Sequence, residues 1–147
     1  MTAPQTIADH ATAALPPVPA LGGRLEIARA RLRYRRAEEI YVEGEAAEFV
    51  YKVVSGAVRT VKLTADGRRL VGGFTLAGGI FALEATAEHQ LCAEAVVDTE
   101  VLVLSRRHLL AMAARDPDLA RQLWEITARD LARAQEHMLL LGRRTAA

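Results

Sequence analysis

The chain has one cysteine, Cys92, and that scarcity excludes a good deal. A single thiol forms no internal disulfide, and unaided it ligates neither an iron–sulfur cluster nor a zinc ion. A reducing, cytoplasmic setting is therefore expected. No apolar run approaches the roughly 20 residues that span a bilayer, so no membrane partner is expected. Charge of one sign is also lacking: 19 Lys and Arg face 18 Asp and Glu, for a formal net charge of +1. No overall basic field draws this polypeptide to nucleic acid. The four histidines, His10, His89, His108 and His137, never lie within four residues of each other. The His-x-His pair of an open β-roll metal site is thus missing. Gly-x-Ser-x-Gly, His-Glu-x-x-His and a phosphate-binding glycine loop with lysine are missing too. The sequence assigns no catalytic residue, no metal ligand and no cofactor, and an enzyme is not expected.

What is present is ordinary globular material: 147 residues, 51% hydrophobic and 25% charged, enough for one core. Met1 to Gly23 is Ala- and Pro-rich and lacks a basic region ahead of an apolar stretch. It reads as a mobile tail and not as a signal peptide. From Arg24 to about Ser105 the pattern is β. Arg31 to Arg35 alternates polar and apolar, Glu39 to Val42 runs into the turn Glu43-Gly44-Glu45, and Phe49 to Val54 stops at Ser55-Gly56. Ala57 to Leu63 leads through Asp66-Gly67, a strong hairpin signal, into Arg69 to Leu76, where Gly72-Gly73 suggests a bulge. Gly78-Gly79 marks a sharp loop, Ile80 to Glu84 follows, and Ala85 to Gln90 reads as an exposed loop. Ala93 to Val97, a turn at Asp98-Thr99, and Val101 to Leu104 predict a last hairpin. Short strands at this spacing argue for a sandwich, roll or barrel.

After Ser105 the period changes. Ser105 is a good N-cap for a short helix over Arg106 to Arg115, and Asp116-Pro117-Asp118 restarts a longer one with Gly142 as its stop. In that second helix Trp124, Thr127, Leu131, Ala134, Met138 and Leu141 fall at spacings of three, four, three, four and three. That is a coiled-coil seam. Leu119, Leu123, Ile126 and Leu140 lie off it and are expected to face the β-roll. One wide core-facing stripe is the plainer alternative; the strict register favours a second copy of the same helix, a homodimer.

The local words carry a family resemblance. Glu43-Gly44-Glu45, Tyr51 to Thr60, Asp66-Gly67-Arg68-Arg69, Arg121 to Glu125, and His137 to Leu141 followed by Gly142-Arg143-Arg144 resemble the FixK branch of the Crp/Fnr regulators. The resemblance covers about Arg24 to Ala147. It implies a mainly β fold with C-terminal helices: an antiparallel double-stranded β-helix, or jelly roll, of the cyclic-nucleotide-binding type over 24–115, then a dimerisation helix over 116–147. It implies no enzyme activity. In such regulators a winged helix-turn-helix domain follows and reads DNA; the chain stops where it is expected to begin, so DNA is a partner only through a part absent from this sequence. The hairpin tip Asp66, Gly67 and Arg68 corresponds to a flap that touches RNA polymerase in similar regulators, with a solvated turn as the equal alternative.

Relatives that bind cyclic AMP carry a Gly-Glu pair for the ribose and, about ten residues on, an Arg-Ser/Thr pair for the cyclic phosphate. By resemblance these positions fall here at Ala82-Leu83 and His89-Gln90. Glu84 sits one position late, and no arginine occurs between Ile80 and Ser105. A degenerate effector pocket of Gly78, Gly79, Ala82, Leu83, Glu84, His89 and Gln90 is therefore expected, with His89 a solvated loop residue. No cysteine cluster precedes Arg36, so the iron–sulfur sensing of oxygen-responsive relatives is not expected. Cys92 reads as a small buried thiol, and Arg31, Arg33, Arg35 and Arg36 as a solvated basic strip. Two rivals stand beside the regulator reading: a stand-alone module for a cyclic nucleotide or other small ligand, and a short dimer partner that inhibits full-length regulators.

Overall fold

A computed structural model describes residues 28–145. The expected tail, Met1 to Gly23, lies outside the described residues. Eight strands precede two helices: β1 Ala28–Tyr34, β2 Glu39–Tyr41, β3 Phe49–Ser55, β4 Ala57–Leu63, β5 Arg69–Leu76, β6 Ile80–Phe81, β7 Cys92–Ala95, β8 Thr99–Ser105, α1 Arg106–Arg115 and α2 Pro117–Thr145. One antiparallel sheet has the order β1-β8-β3-β6 and the other β2-β7-β4-β5. The chain crosses between sheets at nearly every turn, and the result is a jelly roll.

Strand β8 explains the layering. Its run Val101 to Ser105 is buried at every position, where a strand with one wet face would alternate. Val101 and Val103 join Leu32, Tyr41, Tyr51, Val53 and Phe81 inside the roll. Leu102 and Leu104 face the other way, into a second cluster with Val50, Ile80, Leu109 and Leu119. Strands β3 and β6 divide their side chains in the same manner, Val50 and Ile80 outward, Tyr51 and Phe81 inward. The first sheet is thus a middle layer, with the second sheet on one side and α1 with the start of α2 on the other.

The expected last hairpin is corrected here. Strand β7 pairs with β2 and β4, whereas β8 pairs with β1 and β3, so the Val96–Asp98 corner carries the chain from one sheet to the other. The corner is fixed by Thr99, whose hydroxyl donates to Val97 O at 2.7 Å and receives Ala57 N at 3.2 Å. A turn signal between two apolar runs does not distinguish a hairpin from such a crossover. The β4–β5 hairpin does form at Asp66-Gly67, and the bulge falls at Gly72, which is skipped between the pairs Thr60↔Gly73 and Val61↔Val71.

The helix boundaries follow their caps. Ser105 Oγ accepts from His108 N at 3.3 Å. Asp116 Oδ1 accepts from the amides of Asp118 and Leu119, starting α2 one residue after α1 ends. Gly142 does not stop α2, which continues to Thr145. A glycine ends a helix when it turns left-handed, and Gly142 is not among the residues with positive φ. Leu140 is a further correction: it is 57% exposed, whereas Leu119, Leu123 and Ile126 do pack on the α1–sheet cluster. The helix outruns the body, and from Ala128 to Gly142 every residue is exposed.

Gly56 joins β3 to β4 with φ +92°, and a Cβ there would lie 2.5 Å from Thr99 Oγ1 and 2.6 Å from Asp98 O. Gly56→Ala is expected to cost about 2–4 kcal/mol, from strain and overpacking together. Gly67→Ala, at φ +84° in open space, is expected to cost about 1 kcal/mol from backbone handedness alone. Urea unfolding of the two variants checks this, and equal losses would show that the Thr99 corner is not tightly packed.

Candidate functional site

The predicted pocket positions begin with backbone. Gly78 has φ +90°, and its amide donates to Val53 O at 2.8 Å while Val53 N donates to Gly79 O at 2.9 Å. Gly79 has no room for a Cβ, which would lie 2.7 Å from Thr75 Cγ2. Ala82 is buried and holds φ 69°, the left-handed region that suits glycine. By resemblance a glycine stands there in nucleotide-binding relatives; here an alanine takes the left-handed turn. Sequence reasoning alone did not find this.

The loop from Ala85 to Gln90 is exposed at Ala85 to Glu88 and Gln90, but not at His89, which is 3% exposed. The expectation of a solvated histidine is corrected. Its ring stacks on Tyr41 with centroids 3.6 Å apart and planes 10° from parallel. Nδ1 lies 2.8 Å from Glu84 Oε1, and the other Glu84 oxygen accepts from Gln90 N at 2.7 Å. Glu84 therefore turns back on its own loop. Tyr41 continues inward against Tyr51 and Phe81, a column of rings filling the roll. Burial, with the Glu84 carboxylate second, pushes the Tyr41 phenol far above its usual range and keeps it neutral. Neither Tyr41 nor its stacking was legible: it lies 48 positions from His89 in sequence, and no local pattern links them.

The same loop runs antiparallel to residues 44–47. His89 N donates to Glu45 O, Gly44 N to His89 O and Ala47 N to Ala87 O, at 2.8–2.9 Å. The two segments make a short antiparallel ribbon. Cys92, expected as a buried thiol, is buried; its Sγ accepts from Glu43 N at 3.4 Å.

The other predicted residues do not join this site. Trp124, Leu131, Met138 and Leu141 are 72%, 59%, 65% and 47% exposed along α2, with Ala134 exposed between them. Thr127 satisfies its hydroxyl within the helix, on Leu123 O and Trp124 O. Asp66, Gly67 and Arg68 form the exposed tip of the β4–β5 hairpin, where Asp66 binds Thr64 and Arg68 and its carboxyl is held below its usual range by both, Thr64 first. The basic strip is partly neutralised: Arg31 and Arg33 share Glu100 at 2.7 and 3.4 Å. The Arg31 hydrogen bond is the main reason the Glu100 carboxyl stays below its usual range. Among the described residues no group of three or more His, Cys, Asp or Glu could hold a metal ion, and no helix is long and apolar enough to cross a membrane.

Residues 31–116 match the family model of the cyclic nucleotide-binding domain. The nitrogen fixation regulation protein FixK of Azorhizobium caulinodans is 45% identical over 113 residues, 77% of this chain and 46% of that protein. FixK2 from Bradyrhizobium japonicum superposes with a TM-score of 0.74 at 51% identity, over 78% of this chain and 58% of that one. The catabolite activator protein of Thermus thermophilus superposes at 0.64 with 31% identity, over 76% and 54% of the two chains. The chain spans about half the length of the curated relatives it matches. A jelly roll followed by a short helix and a long, exposed one, matched in these comparisons, is a cyclic nucleotide-binding domain, and the chain belongs to the FixK-like Crp/Fnr regulators.

Proposed function

We propose that this chain is the sensory and dimerisation half of a Crp/Fnr-type transcription regulator, degenerate for cyclic nucleotides and without catalytic activity. DNA contact falls to a winged-helix part outside these residues, and the hairpin tip at Asp66 to Arg68 is a contact for RNA polymerase. The observation that carries the reading is the state of the phosphate-side position. His89 stands there instead of arginine, buried against Tyr41 and engaged with a carboxylate. A cyclic phosphate entering this space would meet Glu84 and lack a guanidinium, so it would lose the charge-assisted contact and face a like charge. Leu83, half-buried at the ribose-side position, offers no acceptor for a hydroxyl.

The homodimer rests on the exposed face of α2. From Trp124 to Met138 the apolar face of α2 is exposed among the described residues, and helices in proteins draw most of their stability from packing an apolar face. A second copy supplies the matching ridge at Trp124, Thr127, Leu131, Ala134, Met138 and Leu141.

Two outcomes follow. Titration with cyclic AMP at about millimolar concentration, the range of weak binding, is expected to give no heat in isothermal calorimetry. Saturable binding would overturn the degenerate pocket. Leu131→Glu combined with Met138→Glu is expected to convert a dimer into a folded monomer by size exclusion with light scattering; an unchanged oligomer would place the interface elsewhere.

A further inference from the structure

We infer that Arg106 is a positioning residue that locks the 44–48/84–90 ribbon to α1, so that the pocket is held closed by the chain's own groups and α2 is kept in its pairing position without an effector. The inference rests on the reading of the pocket as degenerate and of α2 as a dimer helix. Arg106 is the first residue of α1. Its Nη1 donates to Thr86 O at 2.5 Å and to Ala47 O at 3.1 Å, one carbonyl on each strand of the ribbon, and its own amide donates to Glu48 O at 3.0 Å. Ala47 is buried, so loss of the guanidinium leaves its carbonyl short of a partner where water does not readily replace it. The ribbon's inner side is held independently, by Glu84 on His89 and Gln90 and by His89 on Tyr41.

From Arg106 the connection runs through contacts already described. Three residues on, Leu109 is 1% exposed in the cluster with Leu102, Leu104 and Leu119, against which Met112, Leu123 and Ile126 pack. Leu123 and Ile126 flank Trp124, the first residue of the seam. Through Leu123 and Ile126, the way α1 seats α2 sets where the seam lies relative to the roll. In a ligand-gated roll an effector would hold the loop; here a planar guanidinium and a buried His–carboxylate pair occupy that role. A lysine at 106 presents one ammonium as a point charge and bridges two carbonyls poorly.

The test uses the full chain and three variants, Arg106→Ala, Arg106→Lys and the exposed neighbour Arg107→Ala. Amide hydrogen exchange is read over 44–48 and 84–90, and the dimer dissociation constant is read by sedimentation. Arg106→Ala is expected to speed exchange in both segments and to weaken the dimer about tenfold, within the usual range of coupling between sites. Arg106→Lys is expected to recover part of both effects, and Arg107→Ala to change neither. Faster exchange with an unchanged dimer would overturn the coupling, as would no change in either. If the alanine variant does not fold, the lysine variant is read alone, and wild-type values in it overturn the proposal. A wild-type chain that binds cyclic AMP or runs as a monomer would instead refute the functional reading on which the proposal rests.

Discussion

The constraint on which everything else depends is the burial of β8 on both faces. A strand so placed demands a partner strand at each edge and an apolar layer above and below. Strands β1 and β3 meet the first demand, and the ring-filled roll and the helices meet the second. Each Val, Leu or aromatic ring fully removed from water here contributes on the order of 1.5–3 kcal/mol. Because the helices are one of the two layers, α1 and the start of α2 belong to the core of the domain. The roll and the helices share packed side chains, and α1 begins at the residue after β8 ends.

Much of the fold was legible because its signals are local. The strand ends at Ser55-Gly56, the Asp66-Gly67 hairpin, the Gly72 bulge, the Ser105 cap and the Asp116 restart each rest on the chemistry of two or three neighbouring residues. The failures were non-local. The crossover at Val96–Asp98 looks like a hairpin turn in sequence, since partner choice is decided by strands about 30 or more residues away. Leu140 matched a core-facing position on the helical wheel, but α2 has left the body by that point, which periodicity cannot report.

The site divides in the same way. The resemblance located Ala82, Leu83, His89 and Gln90, and composition revealed the lack of arginine. Neither disclosed that His89 turns inward, because its partners Tyr41 and Glu84 come from another sheet and from the far side of its own loop. A histidine within a run of small and polar residues has the local signature of solvent exposure. Only the fold, by drawing residues 44–47 alongside 87–89, closes water off from the ring.

Ala82 carries a consequence of its own. An alanine accepting the left-handed turn means that the frame of the loop does not depend on having glycine there. The scaffold is written in valines, leucines and turn geometry, and this turn accommodates a methyl group. A domain built this way can lose or change its ligand by drift while its shape and its helices stay in place, which gives one structural frame room for many different inputs.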